Sequence, residues 1–66
     1  MNNFEPARLA AFRKSKGMTQ RALARAAGIS QALVAEIERG KHSPSPAALA
    51  KLASALSVAE RDFDGT

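Results

Sequence analysis

The sequence predicts an all-α fold, a compact five-helix bundle, and three observations carry that prediction. Alanine dominates the apolar content while tryptophan and tyrosine are absent, and alanine is the residue that loses least on entering a helix. β-branched residues are too few and too scattered to line the face of a sheet. Glycine, proline and small hydroxyl residues then divide the chain into short segments at helix-like intervals.

The first helix spans residues 5 or 6 to 16. Pro6 suits a first turn, Lys14 and Lys16 suit the negative C-terminal end of the dipole, and Gly17 can adopt the left-handed conformation that stops it. Leu9 and Phe12, with Ala10 beside them, mark its core face, and Met18 plugs the connection. Thr19 caps a second helix over 20–27, which Gly28 ends. Ser30 caps a third, running to Arg39 and stopping at Gly40. Residues 41–44 form a loop. Ser45 followed by Pro46 opens a fourth helix to about residue 56, with Leu49, Leu52, Ala53 and Leu56 in the i, i+3, i+4, i+7 pattern of a buried stripe. A fifth short helix over 59–63 returns Phe63 to the core. Residues 1–66 therefore read as one domain. A chain of this size buries only about 60% of its unfolded surface, so its stability is modest.

Charge is unevenly placed. Between Arg8 and Lys41 eight basic residues face two acids, a net +6, while the remainder of the chain carries −2. Concentrated positive charge displaces condensed counterions from nucleic acid, which makes a phosphate-rich partner a candidate. Charge alone supports equally the ordinary excess of a small soluble domain. The absence of cysteine excludes disulfides, thiolate zinc sites and a cysteine nucleophile, and fits a reducing cytoplasm. No apolar run approaches the roughly 20 residues of a membrane span. Residues 1–6 lack the basic and apolar regions of a signal peptide. The expected location is cytoplasmic, with no membrane partner and no cofactor or metal.

The most informative stretch is residues 19–40. Two short helices meeting through a tight turn need a residue at ease with positive φ, which Gly28 supplies. They also need a small side chain where they approach closely, and Ala24 sits four residues earlier. Leu23, Ile29, Val34 and Ile37 fill the wedge between them. Each feature alone is weak; all of them in register over one segment specify a helix-turn-helix.

The chain resembles the Cro/repressor (XRE) type of helix-turn-helix proteins, the lambdoid phage repressors and many bacterial regulators. The resemblance rests on Phe12-Arg13, Gly17-Met18-Thr19-Gln20, Leu23-Ala24, Gly28-Ile29-Ser30, Val34 and Ile37-Glu38-Arg39-Gly40-Lys41. It continues through Pro46, Leu49, Leu52-Ala53, Ala55-Leu56 and Val58. It implies sequence-specific binding to double-stranded DNA, a palindromic operator, and a transcriptional regulator, above all a repressor. The implied state is a homodimer, formed in solution or only on DNA, with its contact near Val58 and Phe63. Ser57 stands where the family usually has glycine, which is expected to tighten or shift the end of the fourth helix. Ala32 and Leu33 occupy outward positions often held by polar residues, so few direct base contacts are expected and DNA shape carries part of the specificity.

In this docking mode the N-terminal part of the recognition helix, residues 31–39, points at base edges. Gln31 can make two hydrogen bonds to adenine, and Ala32 can meet a thymine methyl. Glu36, one turn beyond Ala32, could accept from cytosine N4, but it also faces a polyanion and reads equally as a solvated residue. Gln20 opens the second helix, where free N–H groups meet a phosphate well. Arg21, Ser30, Arg39, Lys41 and His42 are placed to hold flanking phosphates, and Leu33 to pack on sugar or backbone rather than in the core. Arg25 reads as solvated, and His42, with no metal-ligand cluster beside it, as a residue of a wet loop.

Glu38 lies in the last helical turn, where the dipole disfavours a carboxylate and DNA would repel it. It needs a cationic partner inside the protein, and the resemblance implies a partly buried bridge to Arg13. Three other function classes compete. An enzyme is poorly supported by one histidine, no cysteine and no paired carboxylates. A basic amphipathic helix on a membrane would need aromatic residues beside its lysines, and Phe12 is required by the core. A protein-interaction module of the same shape, such as an antitoxin or anti-repressor, is the alternative that survives, because fold does not fix function.

Overall fold

Hydroxyl side chains open three of the α-helices in the computed structural model, which describes residues 3–65. Thr19 Oγ1 accepts from the Ala22 amide at 3.0 Å, Ser30 Oγ from Leu33 at 3.0 Å, and Ser45 Oγ from Ala48 at 3.1 Å. Each satisfies one of the amides that a helix start leaves unpaired. The helices are α1 (Pro6–Ser15), α2 (Gln20–Ala27), α3 (Gln31–Glu38) and α4 (Pro46–Leu56). The first and third end one residue short of the sequence-based expectation, at Ser15 and Glu38 rather than Lys16 and Arg39. Met1, Asn2 and Thr66 lie outside the described residues, and part of the leader-peptide reading falls on the first two.

All four helices terminate in the same way. A residue with φ between 58° and 76° follows each: Gly17, Gly28, Gly40 and Ser57. The next residue's amide then turns back to the helix, as in Met18 to Arg13 O, Ile29 to Ala24 O, Lys41 to Glu36 O and Val58 to Ala53 O, all at 2.9–3.0 Å. This is the Schellman closure, which normally places an apolar residue on the helix it ends. Met18, Ile29 and Val58 comply and pack against the core. Lys41 does not, and its side chain stays exposed. Ser57 leaves α4 closed like the other helices, with φ 58° and ψ 40°, at the cost of a conformation that disfavours any Cβ.

The expected fifth α-helix is instead one 3₁₀ turn, Glu60–Phe63, so the described residues form four α-helices. Only four residues separate Ala59 from extended Asp64, which is one turn and no more. Beyond it the chain pairs with its own beginning: Phe4 and Asp64 form an isolated antiparallel bridge, Glu5 N donates to Phe63 O at 2.8 Å, and Gly65 N to Asn3 O at 2.9 Å.

Among the described residues the largest fully buried side chains are Leu9, Leu23, Val34, Ile37, Leu52, Leu56 and Phe63. The Phe63 ring lies between Phe4 and Phe12, with centroid separations of 5.7 and 5.8 Å and tilted to edge-on planes, the geometry that aromatic quadrupoles favour. Of the expected α4 stripe, Leu52, Ala53 and Leu56 are buried and Leu49 is half-buried. Ala27, Ala48 and Pro44, not singled out from the sequence, are buried as well. Among the described residues no helix is long and apolar enough to cross a membrane.

Candidate nucleic-acid interface

The turn between α2 and α3 is set by Gly28, at φ 71° and ψ 33°. Ile29 N donates to Ala24 O, and half-buried Ile29 wedges beneath the turn. Buried Ala24 leaves room for α3 to approach. Val34 and Ile37, three residues apart and both at 0% exposure, lock one face of α3 into the core. The opposite face therefore has a fixed orientation. Gln31 and Ala32 lie exposed at its start, immediately after the Ser30 cap.

Arg13, in α1, reaches across to Glu38 at the far end of α3. Its Nε donates to Oε2 at 2.7 Å and its Nη2 to Oε1 at 3.1 Å, a fork-to-fork pair. Nη1 donates to the Met18 carbonyl at 2.8 Å, so the guanidinium also pins the connection from α1 to α2. Gln20 Nε2 donates to Glu38 Oε1 at 3.0 Å. The side chains of Arg13 and Glu38 are only 11% and 7% exposed. Burial pushes the Glu38 carboxyl up, but the hydrogen bonds from Arg13 and Gln20 and the charges of Arg13 and Lys14 outweigh it and hold it below its usual value. The Glu38 hydrogen bond raises Arg13. The cluster ties three helices together, and its acid is withdrawn from the surface that Gln31 occupies.

The other sequence-derived candidates divide. Arg21, Ser30, Arg39, Lys41 and His42 are exposed, as is Arg25. Ser30 spends its oxygen on the helix cap and keeps its hydroxyl hydrogen as a donor. Gln20 turns its side-chain amide inward to Glu38, while its backbone N–H, the group read from the sequence for a phosphate, stands in the first turn of α2. Leu33 is divided, half-buried with part of its side chain against the core and the rest exposed on α3. Phe63 is a correction: it is fully buried and offers nothing to a dimer contact, whereas Val58 is half-buried.

Two features escaped the sequence. Ala35, four residues after Gln31, is half-exposed and adds a small apolar patch to the outer face of α3. His42 Nε2 stands 3.5 Å from Glu36 Oε1, so Glu36 has a neighbour from the following loop. The glycine stop at Gly40 is the signal that could have revealed this second feature, because a Schellman turn folds the chain back over the residue it closes on.

The helix-turn-helix family HTH_3 matches residues 9–63. An uncharacterized HTH-type transcriptional regulator of Bacillus subtilis (strain 168), YazB, is 47% identical over 51 residues, 77% of this chain and 74% of that protein. Among solved structures, the restriction-modification controller protein C.AhdI from Aeromonas hydrophila is 34% identical, with a TM-score of 0.85 and 88% of each chain covered. The P22 c2 repressor, solved in complex with a synthetic operator, is 28% identical, with a TM-score of 0.84 and again 88% of each chain covered.

Proposed function

This chain belongs to the helix-turn-helix family HTH_3, and from that membership we propose that it is a transcriptional regulator that binds double-stranded DNA sequence-specifically. The observation that carries the reading is the first turn of α3. Gln31 and Ala32 project from a helix whose inner face is immobilised by Val34 and Ile37, with Arg21, Arg39 and Lys41 exposed around it. A helix presented in this way enters the major groove N-terminus first. Gln31 reads adenine, Ala32 meets a thymine methyl, and the exposed cations with Ser30 and the α2 N-terminus hold the flanking phosphates.

The structural likeness to the P22 c2 repressor on its operator supports repression as the regulatory outcome. The whole chain acts as one DNA-binding unit in the cytoplasm and works by binding rather than by catalysis. Its longest extent, 28 Å, is less than the ~34 Å between successive major-groove faces of a duplex. One copy therefore covers one half-site, and a symmetric pair reads a palindrome, assembling in solution or on the DNA itself.

Selection of binding sites from random duplex DNA at fixed near-physiological salt tests the proposal. Recovery of a palindrome with half-sites about one helical turn apart is the expected result. Failure to enrich any sequence above the input library would overturn it.

A further inference from the structure

We infer that His42 positions Glu36 for base reading, so that the two residues together set which base pair is accepted at one point of the half-site. The inference rests on the docking of α3 proposed above, and it gives His42 a different task from the phosphate contact read from the sequence. Glu36 lies four residues after Ala32 on α3 and is partly exposed. A lone carboxylate there approaches two phosphate strands and is pushed toward solvent, away from the base edges. The only donors it can use in the major groove are exocyclic amines, chiefly N4 of cytosine. It stays aimed at them only when a cationic or donating group holds it from the protein side.

His42 sets its Nε2 3.5 Å from Glu36 Oε1, an ion pair whenever the imidazole is protonated, while both side chains stay accessible at 60% and 40% exposure. The imidazole does not arrive there on a loose loop. Gly40 takes φ 76°, Gly40 N donates to Ile37 O at 3.0 Å, and Lys41 N donates to Glu36 O at 2.9 Å. The backbone bond therefore closes on Glu36 itself, the residue that His42 faces. Two residues beyond His42, Pro44 is buried and anchors the other side of the loop. The segment carrying the imidazole is thus fixed at both ends, and the pairing is a property of how α3 stops.

The experiment compares binding-site selection by the wild-type chain, Glu36→Ala, His42→Ala and the double variant, each checked for an unchanged thermal unfolding midpoint. The wild type should prefer C·G at one position that both single variants relax, each losing about fivefold in discrimination, the low end for a specific base contact. The double variant should lose no more than either single one. The inference is overturned if His42→Ala weakens all sequences alike and lowers the log–log salt slope by about 1, the signature of a phosphate contact. It is equally overturned if Glu36→Ala relaxes no position, or if the two variants relax different ones. Failure of the docking model itself looks different: the wild type then enriches no site at all.

Discussion

Arg13 and Glu38, 25 residues apart in sequence, form a two-pronged ion pair, and the third guanidinium nitrogen, Nη1, donates to the Met18 carbonyl. The pair spans the domain from α1 to the end of the helix that carries Gln31. Its arginine belongs to the most basic part of the chain, yet its position gives it to the fold rather than to a ligand.

Arg13→Ala should therefore destabilise the protein. Removing one member of a buried pair typically costs about 3–5 kcal/mol, because the other charge is left without compensation. In a domain this small, that lowers the thermal midpoint by at least ~10 °C. Differential scanning calorimetry checks the outcome, and an unchanged midpoint combined with weakened DNA binding would make Arg13 a phosphate contact instead of a structural one.

The same pair sets an acid limit. The Glu38 carboxyl is held below its ordinary value in the folded state, so the unfolded chain takes up a proton first as pH falls. The stabilisation is complete above the unfolded value, roughly 4.3 for a glutamate, and is lost as pH drops through the lower, folded one. Urea unfolding between pH 6 and pH 2.5 should show that decline in the wild type. In Glu38→Gln, itself weaker at neutral pH, the decline should be shallower.

Gln31→Ala should behave in the opposite way to Arg13→Ala. Gln31 is exposed at the start of α3, so stability should change by no more than about 0.5 kcal/mol. Discrimination at the adenine position should fall by roughly 1–3 kcal/mol. Competition binding with single-base-pair operator variants separates the two effects, and a Gln31→Ala protein that keeps full discrimination would remove Gln31 from the reading surface.

Ser57 and Gly28 hold nearly the same backbone conformation, at φ 58° and 71°, one with a Cβ and one without. Ser57→Gly should relieve strain of about 1–2 kcal/mol and give back part of it, about 0.4–1 kcal/mol, through a freer unfolded chain. The expected net result is a small rise in midpoint. A Cβ at Gly28 meets nothing within 4 Å, so Gly28→Ala should cost about 1–2 kcal/mol in backbone strain, offset in part by about 0.4–1 kcal/mol from a stiffer unfolded chain, and keep its binding specificity. Thermal unfolding of the two variants should move in opposite directions.

Most of the fold was legible because its signals are local. Thr19, Ser30 and Ser45 cap the helices they precede, and the glycine stops fall where the helices end within a residue. The partner of Glu38 was also within reach, since a carboxylate at the negative end of a helix needs a cation, and the family resemblance named Arg13. What escaped depends on distance and angle rather than on pattern. Nothing at position 20 announces that its amide will meet residue 38; that follows from how α2 crosses the end of α3. Leu33 was placed outward by its register on the helix, yet α3 sits deep enough for a leucine there to reach the core. The last helix failed for a simpler reason, because four residues cannot sustain more than one turn.

The pairing of Asn3 with Gly65 brings the two ends of the described segment side by side. A covalent link between these two positions would ask little rearrangement of the native state. It would act chiefly on the unfolded ensemble, which would lose the configurations in which the two ends drift apart. For a domain with so small a core, topology of this kind is a route to heat resistance that leaves every side chain on α3 untouched.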